Sequence, residues 1–127
     1  MNPHQTFSIL CVDDEPAILT MLQRVLGAGG YSAEIAANGF VALAKITKQP
    51  HAFRLVITDL RMPGLDGFEL IERARLAGYD GEFAVLASAI GPDQRTRLQE
   101  LRVTKILEKP SRPAEMLALV RQAQAGH

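Results

Sequence analysis

The sequence predicts an α/β domain, a doubly wound parallel sheet with helices on both faces. Two observations carry this. Short apolar runs alternate five times with segments of helical periodicity, over short connections. The runs at 9–12 and 55–57, Ile-Leu-Cys-Val and Leu-Val-Ile, contain no polar position, as strands buried on both faces require.

The elements follow in order. The first strand, 9–12, runs into Asp13 and Asp14. Pro16 suits a first helical turn, where its missing amide costs nothing, and Ile18, Met21, Leu22, Val25 and Leu26 recur at helical spacing. Gly27, Gly29 and Gly30 are expected to stop that helix. Residues 31–36 read as a strand, Asn38-Gly39 as a turn and 40–47 as a helix. Leu55, Val56 and Ile57 form the third strand, which ends at Asp59. "MPGLDG" makes a tight loop, with Asp66-Gly67 as turn and cap chemistry before a helix over 68–77 closed by Gly78. Residues 83–87 form the fourth strand. A weaker helix over 92–101 has only Leu98 and Leu101 as clear anchors; 105–107 is the fifth strand and 113–123 the last helix. No repeat, linker or low-complexity segment interrupts the pattern, so residues 1–127 read as one domain with no output segment.

Composition narrows the class. Apolar residues make up 47% and charged ones 22%, which excludes a disordered chain. Fourteen basic and fourteen acidic residues cancel, removing any global attraction to nucleic acid or anionic lipid. The single cysteine, Cys11, rules out an internal disulfide and reads as a buried, inert thiol. Neither a leader nor an apolar stretch of the about 20 residues a membrane span needs is seen, so the expectation is a cytoplasmic protein.

In an open α/β sheet, ligands bind beyond the C-terminal ends of the strands. Those ends offer Asp13 and Asp14, then Asp59, Ser88 and Lys109. Three acids crowded into one crevice repel and raise one another's pKa unless a cation sits among them. Oxygen donors without His or Cys neighbours suit a hard divalent metal, and Mg²⁺ is the natural one near phosphate. With Lys109 it would bring the site close to neutrality.

The stretches "VDDE", "ITDLRMPGLDG", "VLASA" and "LEKP", in this order at these strand ends, resemble the response-regulator receiver domain of two-component signalling, the CheY-like superfamily. The resemblance spans essentially the whole chain. It implies a flavodoxin-like (βα)5 fold with strand order 2-1-3-4-5. It implies Asp59 as phosphoacceptor and Mg²⁺ held by Asp14, Asp59 and the backbone carbonyl of Arg61, with Asp13 helping through water. Ser88 and Lys109 would stabilise the phosphoryl group, small Ala89 would keep the crevice accessible, and Ile106 stands where a switching aromatic is common. A cis bond is implied before Pro110. The implied partners are a sensor histidine kinase or phosphotransfer protein and a downstream protein or output domain. A phosphorylation-dependent dimer is an option; direct contact with nucleic acid or membrane is not expected. The domain would catalyse only its own phosphorylation and slow dephosphorylation.

The chemistry suits these residues. Asp59 would attack the phosphorus of a phosphohistidine to give an acyl phosphate. Phosphoryl transfer is mostly positioning and charge stabilisation: the metal clamps non-bridging oxygens, Lys109 neutralises another and the Ser88 hydroxyl donates to a third. His4, His51 and His127 lie in a tail, a loop and the terminus, so the phosphoryl group must come from another protein.

Plainer roles compete. Asp13-Asp14 alone would serve as a helix cap, Glu15 as a first-turn acid favoured by the helix dipole, and Ser88 as a strand-end hydroxyl bonding backbone. A haloacid-dehalogenase-type phosphatase would want a second acid two residues after its nucleophile, where Arg61 stands. A flavin-binding module would need a phosphate-cradling loop where the acidic "DDEPA" stands. A degenerate receiver that only binds partners, and the N-terminal receiver of a longer regulator, are the remaining alternatives. Ile106, Ser88 in place of a common Thr, and "LRVT" before the fifth strand depart from the commonest receiver pattern, and these bear on output rather than on chemistry.

Overall fold

The computed structural model describes residues 7–126. Strands β1 (Ser8–Val12), β2 (Ser32–Ala36), β3 (Leu55–Thr58), β4 (Glu82–Ala87) and β5 (Lys105–Glu108) alternate with helices α1 (Pro16–Ala28), α2 (Gly39–Lys48), α3 (Gly67–Leu76), α4 (Pro92–Glu100) and α5 (Pro113–Ala125). The sheet has the order β2-β1-β3-β4-β5 and every pairing is parallel. This is the doubly wound architecture and strand order expected.

The uniformly apolar strands serve two cores. Leu10, Val12, Val56, Phe83 and Val85 face one layer with Ala42, Ile46, Leu70, Ile71, Ala74 and Leu98. Ile9, Cys11, Leu55, Ile57, Ala84 and Leu86 face the other, with Leu19, Leu22, Leu26, Met116, Leu119, Val120 and Ala123. Side chains alternate across a strand, so a strand between two helix layers has no solvent-facing position left for polar residues.

Helix boundaries moved for local reasons. Gly27 does not stop α1 but lies inside it. Glycine in a helix interior costs only about 1 kcal/mol relative to alanine, which the buried face with Leu22 and Leu26 overrides. The stop comes at Gly30, which has φ +88° and lets the Tyr31 N–H donate back to the Leu26 carbonyl at 3.0 Å. The Asn38 side chain caps α2 by accepting from Val41 N–H at 2.8 Å, so that helix starts at Gly39. Asp66 and Glu69 form a reciprocal capping box at the start of α3. α4 is the poorly anchored helix anticipated: within it only Leu98 is buried, and Leu101 falls just beyond its end.

Register brings the strand ends level. Val12 pairs with Ala36 on one side and Thr58 on the other. The ladder then runs one residue further: Asp13 N–H donates to Ala36 O, Asp59 N–H to Val12 O and Lys109 N–H to Ala87 O, at 3.2, 3.0 and 2.9 Å.

Candidate functional site

Those three backbone bonds place Asp13, Asp59 and Lys109 on one rim of the sheet. Lys109 Nζ reaches across to donate to Asp13 Oδ2 at 2.8 Å and to Asp59 Oδ2 at 3.0 Å, with Glu15 Oε1 at 3.8 Å. Each buried carboxylate gives its other oxygen to the backbone. Asp59 Oδ1 accepts from Leu60 N–H at 2.7 Å, and Asp13 Oδ1 from Glu15 N–H at 2.9 Å. The acids are therefore oriented from both sides, by an ammonium and by main-chain amides. Asp13 is 1% exposed and Asp59 8%, whereas Asp14 and Glu15 face solvent.

Burial sets the electrostatics. It pushes the Asp13 carboxyl above the ordinary carboxylate range; the Lys109 and Glu15 hydrogen bonds pull it back, and the charge of Asp59 works against them. For Lys109, burial pulls the ammonium down, but hydrogen bonds and charge from Asp13 and Asp59 outweigh it and raise the pKa. The lysine is thus held as a cation between two acids.

One carboxylate oxygen each from Asp13, Asp14, Glu15 and Asp59 lie within 4.8 Å of one another. This donor set is all oxygen, and it fits a small hard cation rather than a soft one. Beside it is a cavity of about 210 Å³ lined by Asp14, Glu15, Asp59, Leu60, Arg61, Ser88, Gln94 and Lys109.

The structure brings together every strand-end group that the sequence singled out. Ser88 and Arg61 are on the cavity wall, and Ala89, with φ +51°, follows Ser88 at the exposed end of β4. The Lys109–Pro110 peptide is cis, as the resemblance implied. Ile106 is set back within β5, paired with Val85, partly buried and packed against the core cluster that includes Leu98. Two residues of the rim were missed. Glu15, a helix-start acid by its sequence position, stands before α1 without a capping side-chain bond and joins the acid cluster instead. Its place directly after the acid pair was the available signal. Gln94 comes from the first turn of α4, and no sequence spacing aims a helix across a crevice. Asp13 and Asp14 likewise make no side-chain cap for α1.

The family model described as response regulator receiver domain matches residues 9–121. A protein named response regulator MprA from Mycobacterium leprae (strain TN) is 34% identical over 114 residues, covering 89% of this chain and 49% of that one. Its namesake from Mycobacterium sp. (strain KMS) is 36% identical over the same length, covering 89% and 48%. The chain therefore spans about half the length of the curated relatives it matches. Among solved structures, the Vibrio cholerae chemotaxis protein CheY4 superposes with a TM-score of 0.85 at 29% identity, covering 93% of this chain and 98% of that one. A CheY-like receiver domain protein from Methanospirillum hungatei JF-1 gives 0.88 at 25% identity, covering 97% and 100%. The aligned strand ends, the lysine bridging two buried acids and these matches agree on one conclusion: this chain belongs to the response regulator receiver domain family.

Proposed function

We propose that the domain is a phosphoacceptor switch in which Asp59 takes a phosphoryl group from the phosphohistidine of a sensor histidine kinase or phosphotransfer protein. The observation that carries this reading is the state of Asp59: a nearly buried carboxylate, oriented by Leu60 N–H and Lys109, opening on a cavity rimmed by acids. An Asp59 oxygen attacks phosphorus as the P–N bond to the donor imidazole breaks, and the bonding pair leaves with the imidazole. Mg²⁺, held by Asp14, Asp59 and the Arg61 carbonyl with Asp13 through water, would supply positive charge to the non-bridging oxygens. Lys109, already beside Asp59, turns its ammonium from the carboxylates to a phosphoryl oxygen, and Ser88 donates its hydroxyl to another. Hydrolysis of the acyl phosphate resets the domain, which is regulatory rather than an enzyme acting on outside substrates.

The message leaves through a second protein or an output domain, with a phosphorylation-dependent dimer as one form of it. Matches covering about half of each curated relative favour the receiver of a longer regulator. Among the described residues no helix is long and apolar enough to cross a membrane. We assign the domain to the cytoplasm because its phosphoryl source, a kinase charged by ATP, is there.

Incubation with Mg²⁺ and acetyl phosphate should label wild type on Asp59, and Asp59→Asn should stay unlabelled. Equal labelling of that variant, or labelling undiminished by a chelator, would move the acceptor elsewhere.

A further inference from the structure

Gln94 stands in the first turn of α4, half-buried, and its side chain lines the cavity that also contains Asp59, Ser88 and Lys109. It lines a neighbouring groove as well, with Arg61, Met62, Phe68 and Arg97, so it forms part of the wall between the two spaces. Chemistry orients its carboxamide. The backbone N–H of Gly91 can only donate, so the atom it meets 3.0 Å away must be Oε1. With the oxygen turned to the backbone, the group left free to bind a ligand is the NH₂, which offers two donors. The other polar side chains there are three acids, a guanidinium, a hydroxyl and an ammonium. A neutral double donor matches an anion that presents several oxygens.

We propose that Gln94 is a phosphoryl-binding residue: its Nε2 donates to an oxygen of the phosphoryl group on Asp59, beside Ser88 and Lys109. The inference rests on Asp59 being the phosphoacceptor and adds to it a direct bond from α4 to the modified side chain. No covalent step involves Gln94. The same side chain that receives Gly91 N–H at the start of α4 would grip the phosphoryl group with its other end, so phosphorylation would pull on that turn.

The competing role is purely structural, since a residue at this position that accepts from the backbone N–H before the helix is half of a capping arrangement. Two substitutions separate the roles. Gln94→Glu keeps the acceptor for Gly91 N–H and suits the helix start, but it replaces the donors with a negative charge. Gln94→Ala removes both ends.

The experiment is a titration with beryllofluoride, a phosphoryl mimic, at saturating Mg²⁺, read by fluorine NMR. Hydrogen exchange across α4 is followed in parallel. Gln94→Ala should weaken beryllofluoride binding about tenfold, the size of one hydrogen bond to a charged group. Gln94→Glu should weaken it further, while α4 amides in its free form stay as protected as in wild type. Gln94→Glu binding within twofold of wild type would overturn the proposal and leave Gln94 as a cap. Failure of wild type to bind, or undiminished binding by Asp59→Asn, would instead overturn the phosphoacceptor reading and this inference with it.

Discussion

Lys109 shows how much of the site's electrostatics depends on one side chain. Its side chain is 11% exposed and its ammonium is shared by Asp13 and Asp59; without a metal it is the cation that offsets their burial. Removing one partner of a buried ion pair leaves an uncompensated charge, a loss of about 3 kcal/mol. Lys109→Ala should therefore lower the stability of the chelator-treated protein by roughly that amount in urea denaturation. Mg²⁺ should restore much of it, because a cation that binds only the folded state stabilises by mass action. The same variant should bind Mg²⁺ at least as tightly as wild type in calorimetry, since the ammonium repels the metal from a shared acidic pocket. Weaker Mg²⁺ binding by Lys109→Ala would be incompatible with the lysine competing for the metal's carboxylates.

At the scale of elements, α4 is attached differently from the other helices. Leu98 is its only buried side chain, while Arg95 bonds Glu108 of β5 at 2.7 Å and Arg97 bonds Glu72 of α3 at 2.9 Å. Arg97 also lies 4.4 Å above the Phe68 ring. Exposed ion pairs contribute little and are screened by salt, so this helix should open locally at low cost. The neighbouring Ile106 is β-branched, stiff at χ1 and packed on the core, without a ring or hydroxyl to exchange between inside and outside. The response to phosphorylation should accordingly travel through residues 89–101. Hydrogen exchange with and without beryllofluoride should change there, Ser88→Ala should blunt the change and Ile106→Val should leave it almost intact. Changes confined to β5, with 89–101 silent, would exclude this route.

For the whole molecule, an interior strand of the sheet reports on global integrity. Cys11 lies in β1, fully buried between the two helix layers, and burial pushes its thiol up from 9.0 to about 12. In the unfolded chain the proton leaves near the ordinary value, whereas the folded chain keeps it until the raised one. Stability from this group is therefore full below pH 9 and falls as pH rises toward 12. At pH 8 iodoacetamide should not alkylate native Cys11, yet should label it readily in urea. The rate at intermediate urea should follow global unfolding measured by circular dichroism. Rapid alkylation of the native protein would mean that the sheet opens at β1 without unfolding.

The alternation of apolar runs and helical periodicities was enough to determine the five βα units, because burial on both faces leaves its mark on each strand separately. The strand-end residues were legible for the same reason: they are where each apolar run stops, and in such a sheet those stops share one rim. The strand order was implied by the family motifs; the bonds that level the rim, from Asp13 to Ala36 and from Asp59 to Val12, belong to the tertiary structure. Helix ends were less legible, as Gly27 illustrates, because one helical glycine costs less than a packed face returns. Gln94 reaches the site only through the way α4 sits against the sheet. Periodicity determines which face of a helix is buried, but only packing decides where its first turn points.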